Sequence, residues 1–169
     1  MKKIICFVFV AFVSLLNATA QDVYSTQSNL KAYVEDLSAK LSKLQHDYDY
    51  LYCSHEINLI ELELKDLINN IDMRSNAILI NCYHSRFNID LYTAYRDNYN
   101  ASLELMDTMK ERVDGIQAEV ALKTLTSNFT DKEIELLMKC SKFLDNCLSK
   151  LQGSLDYYKL VIGIYKDMR

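Results

Sequence analysis

Cysteine and histidine are the side chains here best able to hold a metal, attack an electrophile or form a covalent bridge. Cys53-Ser54-His55 and Cys82-Tyr83-His84 are two Cys-x-His pairs, which supply the ligand types of a Cys₂His₂ zinc site. On a helix, residues two apart point to nearly opposite sides, so one pair shares a metal only in a loop. The spacings of zinc sites are not matched either, and no metal or other cofactor is expected.

Cys53, Cys82, Cys140 and Cys147 lie outside the N-terminal apolar run that holds Cys6, and their even number is compatible with two disulfides in an oxidising compartment. Cys140 and Cys147 are seven residues apart on one helix, about 10.5 Å along its axis, beyond the ~7 Å that a disulfide spans. Two bridges would therefore tie Cys53 and Cys82 to the last helix. The alternative is four buried free thiols flanking an apolar seam.

For catalysis, His46, His55 and His84 have no nucleophile or acid partner by spacing. Glu61, Glu63 and Asp66 read as a solvated helix face, and neither a phosphate-binding glycine loop nor a G-x-S-x-G turn is present. No catalytic residue is expected. Tyrosine is abundant, with twelve in the chain, and offers apolar area plus a hydroxyl to a protein partner. About half of the tyrosines fall on helical seams and pack there. Tyr50, Tyr92 and Tyr157 fall off them and are the candidate partner contacts.

The elements that must carry these residues are helices. The chain has 169 residues, half of them hydrophobic, with no proline and three glycines, a poor composition for the many turns of an all-β fold. Leu30, Val34, Leu37, Leu41, Leu44, Tyr48 and Leu51 alternate steps of four and three. A second register, Ile57, Ile60, Leu64, Leu67 and Ile71, replaces it, and the phase changes at Cys53-Ser54-His55. That change means a distortion within one helix or a turn between two. The polar stretch Asn69 to Asn76 is the expected first reversal.

Tyr95, Tyr99, Ser102, Met106, Met109, Val113, Ile116 and Val120 form the next seam, ending at Thr126-Ser127-Asn128. Thr130 and Glu133 then form a capping box. The last seam, Ile134, Leu137, Ser141, Leu144, Leu148, Leu151, Leu155, Tyr158, Ile162 and Tyr165, is a coiled-coil pattern. Gly153 and Gly163 interrupt it, either weakening the helix or allowing a close backbone approach. The expected fold is all-α: an elongated antiparallel bundle of three long helices with coiled-coil-like seams, or, with turns at Cys53–His55 and Ser85–Asn88, a four-helix bundle.

Lys2 and Lys3, the apolar run Ile4 to Leu16 and the small residues of Asn17-Ala18-Thr19-Ala20 form a cleavable signal peptide over 1–20, leaving one helical-bundle domain over 21–169. Cleavage removes two lysines and no acid, making the net charge of −4 more negative by two. With no basic stripe, nucleic-acid binding has no electrostatic footing, and no membrane insertion is expected after leader removal. The sequence thus reads as an exported protein, periplasmic or extracellular, that binds a protein partner or associates with itself. Its expected role is a subunit or accessory of an envelope complex; a periplasmic holdase-type chaperone is the alternative. The architecture alone is similar to that of the minor helical subunits of a conjugation or type IV secretion apparatus, with no motif to tie the chain to them.

Overall fold

The computed structural model describes the backbone of residues 2–84 and 86–169, and side chains from 23 onward except at 85. The expected leader over 1–20, including Cys6, therefore lies outside the residues whose side chains are described. Three helices and no strand make up the described residues: α1 (Lys2–His84), α2 (Ile89–Thr126) and α3 (Asp131–Asp167). The protein is an all-α three-helix bundle. It divides into two units, Met1–Gln45 and His46–Arg169.

The links in the second unit are short, and each is closed by a cap. The Asn88 side chain accepts hydrogen bonds from the backbone N–H groups of Asp90 (2.8 Å) and Leu91 (3.2 Å), starting α2. Thr130 and Glu133 exchange the reciprocal bonds of the capping box at α3. Each bond satisfies a backbone donor that a helix start leaves without an intrahelical partner. Antiparallel pairing of α2 with α3 follows from such short links. It is visible where the Gln117 amide donates to Asp145 (3.0 Å) and Tyr99 meets Tyr158 edge-on at 6.0 Å. Down the other side, α1 reaches α2 through Asp49 to Lys123 and Glu63 to Arg112.

One core fills the second unit: Cys53, Ile57, Ile60, Leu64, Ile71 and Ile78 from α1, the Met106–Val120 seam from α2, and Leu137 through Tyr165 from α3. Burying each large aliphatic side chain contributes about 1.5–3 kcal/mol. Three serines interrupt the seams at buried positions, one per helix. Each satisfies its hydroxyl by donating to a carbonyl of the preceding turn: Ser75 to Ile71 (2.9 Å), Ser102 to Asn98 (2.8 Å) and Ser141 to Met138 (3.1 Å). Such back-bonding lets a small polar residue occupy a core position without an orphaned group.

One sequence expectation is corrected here, and two open alternatives are closed. Asn69 to Asn76 holds no reversal; α1 runs through it because Ile71, Ser75 and Ile78 remain buried on one face while Asn69, Asn70 and Asn76 stay in water. The first reversal lies after His84, which leaves no room for a fourth helix. At Cys53-Ser54-His55 the helix does not turn either. Tyr48 and Leu51 are 64% and 65% exposed whereas Asp49 and Cys53 are buried. Leu51 and Cys53 are two residues apart, about 200° around the helix, so the phase change marks a switch of apolar face. Finally, a Cβ at Gly153 or Gly163 would meet nothing within 4 Å, so neither glycine serves a close backbone approach.

Candidate interaction surface

The residues with chemical potential are dispersed rather than convergent. Cys53, Cys82, Cys140 and Cys147 are all free thiols, so the two-bridge pattern is not the arrangement found. Cys53 and Cys147 face the core at 0% and 3% exposure, while Cys140 and Cys82 are half-buried. Burial pushes the thiols of Cys53, Cys82 and Cys147 above the usual cysteine value, which suppresses the reactive thiolate. Both Cys-x-His pairs are helical, with Cys53 buried and His55 exposed, as a two-residue spacing requires. Among the described residues no three histidine, cysteine or acidic side chains gather in a metal-holding group.

Of the acidic triplet, Glu61 pairs with Lys65 and Glu63 with Arg112. A different polar cluster, unread in the sequence, closes one end of the second unit. Asp49, 3% exposed, accepts hydrogen bonds from Lys123 Nζ (2.9 Å) and Ser127 Oγ (2.7 Å). Beside it, His46 bridges Asp47 (3.0 Å) and Glu133 (3.2 Å), and Phe129 presses edge-on against the rings of His46 and Tyr50. The hydrogen bond to Asp47, then that to Glu133, raises the His46 pKa above 6.5. The Thr130 backbone and side-chain bonds, with a smaller contribution from His46, hold Glu133 below 4.5. One signal for this cluster was available: Asp49 stands one turn before Cys53, a carboxylate at a core position. The cluster fastens α1 to the link between α2 and α3.

The three tyrosines chosen as partner contacts separate. Tyr50 and Tyr92 are half-buried, packed on Phe129 (6.1 Å) and Phe87 (6.1 Å) respectively, and so are engaged within the fold. Tyr157 is 41% exposed and shares one face of α3 with Leu160 (59%) and Ile164 (44%). Nearer the start of α3, Leu136, Met138 and Phe143 line an open groove of about 820 Å³.

A long run of exposed apolar residues lies in the first unit. Every described side chain from Val23 to Gln45 is exposed, including Leu30, Val34, Leu37, Leu41 and Leu44. Their four-three spacing sets them in one stripe along the helix. Lys31 and Lys40 flank the stripe, paired along the helix with Glu35 and Asp36. Among the described residues no helix is long and apolar enough to cross a membrane. Comparison with family models, with curated proteins and with solved structures returned no match.

Proposed function

We propose that this chain is an exported helical interaction protein, without catalytic activity, that serves as a subunit or accessory of an envelope complex. The observation that carries this reading is the exposed leucine stripe between Val23 and Leu44. A helix in a protein gains most of its stability from packing an apolar face, and the apolar face of this stretch is exposed. Tyr157, Leu160 and Ile164 add a smaller apolar patch on α3. The basic n-region, apolar run and small-residue junction at 17–20 support export.

In-cell crosslinking from a photoreactive residue at Leu37, followed by fractionation, tests the reading. Crosslinks in the periplasmic or secreted fraction, on a chain that begins at Gln21, are expected. A chain retained in the cytoplasm with its leader intact, or without any crosslinked product, contradicts it.

A further inference from the structure

We infer that the exposed stripe of α1 in the first unit pairs with the same stripe of a second copy, as a parallel, in-register two-stranded coiled coil. This inference rests on the interaction reading above and names the partner. In heptad terms, Val23, Leu30, Leu37 and Leu44 occupy d positions, and Gln27, Val34 and Leu41 occupy a positions. Leucine at every d after the first, with β-branched Val34 at a, is the choice that favours two strands over three or four.

The single polar a residue fixes the direction. In a parallel, in-register pair Gln27 faces its own counterpart, and the two amides, each both donor and acceptor, bond to one another. An antiparallel pair aligned over the same residues sets Gln27 against Leu44, burying an amide with nothing to bond. The flanking positions agree. Lys31 and Lys40, at e and g, face Thr26 and Gln45 of the other strand, so no like charges meet. Their intrahelical partners, Glu35 (3.9 Å) and Asp36 (2.7 Å), lie away from the seam at b and c.

The area is close to that of a specific interface. Val23, Leu30, Val34, Leu37, Leu41 and Leu44 are between 46% and 69% exposed. At on the order of 80 Å² of apolar surface per side chain, two copies remove on the order of 1,000 Å² from water. That approaches the ~1,200 Å² at which specific interfaces begin, before the e and g side chains are counted.

Sedimentation equilibrium of the purified full chain tests the pairing. The expected mass is twice 19.6 kDa at micromolar concentration. Substituting Leu37→Asn together with Leu44→Asn should raise the dimer dissociation constant at least about 100-fold, with the near-UV dichroism of the buried tyrosines unchanged. Gln27→Leu should tighten association about tenfold, since it removes the polar a residue. A monomer at high micromolar concentration, a trimer or tetramer, a dimer indifferent to the double substitution, or loosening by Gln27→Leu each overturns the proposal. A monomer that still crosslinks from Leu37 to a different protein in cells overturns self-pairing but spares the interaction reading. Absence of both dimer and crosslink removes the two together.

Discussion

Tyr158 and Tyr165 stand two turns apart on α3, both with 0% exposure, yet their hydroxyls are placed differently. The Tyr165 hydroxyl accepts a hydrogen bond from the Asn88 backbone N–H at 3.1 Å. The Tyr158 hydroxyl has no hydrogen-bond partner among the described residues. Removing each hydroxyl should therefore shift stability in opposite directions. A desolvated, unpaired hydroxyl costs about 1–3 kcal/mol; the gap left by one oxygen, roughly 10–15 Å³, costs back about 0.3 kcal/mol at ~24 cal/mol per Å³. Tyr158→Phe should thus stabilise the bundle by about 1 kcal/mol. Tyr165→Phe should destabilise it by about 0.5–1.5 kcal/mol, the net value of one hydrogen bond. Urea denaturation followed by far-UV circular dichroism reads both, as midpoints that move apart at constant m. The burial that raises the Tyr158 pKa above 10.0 adds a second readout. A folded pKa above the unfolded one gives stability that is complete below the unfolded value and lost as pH rises through the folded value. The alkaline loss should shrink in Tyr158→Phe. A destabilisation of about 1 kcal/mol or more by Tyr158→Phe would refute the reasoning, because it would mean the hydroxyl is held.

Four further outcomes follow from the same contacts. Asp49→Ala should destabilise the second unit by about 2–3 kcal/mol, measured by urea denaturation, because it removes both charge-assisted bonds from a buried carboxylate position. Gly153→Ala and Gly163→Ala should each stabilise by about 0.5–1 kcal/mol in thermal melts, since both glycines are helical and open to a Cβ. His46, with its folded pKa raised above 6.5, contributes stability that is complete below that value and lost as pH rises through the folded pKa. Glu133, lowered below 4.5, contributes in the opposite sense, with its share lost as pH falls. His46→Gln should flatten the urea-midpoint profile as pH rises above about 6.5 and leave the acid limb in place. Cys53, Cys82, Cys140 and Cys147, being free, should all take a thiol label in denaturant without reductant, as read by peptide mass. Under native conditions half-buried Cys140 should label before buried Cys53 and Cys147.

Helix spacing made α2 and α3 legible from the residues, because their seams keep one phase and are bounded by side chains that visibly cap them. Thr130 with Glu133 is the clearest case. The long α1 was misread at Asn69–Asn76 because polarity there was taken for a loop signal. What decides is phase, and Ser75 holds the core register by bonding to Ile71. The phase change near Cys53 was seen, but spacing alone does not tell a turn from a helix that buries one face first and another later. Tyr50 and Tyr92 looked free because they fall off the aliphatic seams. Phe129 and Phe87, in the two links, cover them, and where a link residue folds back is a tertiary fact. The His46–Asp49–Lys123–Ser127–Glu133 cluster was likewise hidden, since its partners are separated by up to 87 positions in the chain.

Hydrogen exchange of the full chain, followed by mass spectrometry across a dilution series, tests most directly the claim that the leucine stripe is left for another chain to cover. Amides within 57–78, 102–120 and 137–165 should be protected equally at every concentration. Those within 23–44 should exchange fast when dilute and become protected as concentration rises. Strong protection of 23–44 at the lowest concentration, or rapid exchange across it at the highest with partners added, would contradict the account.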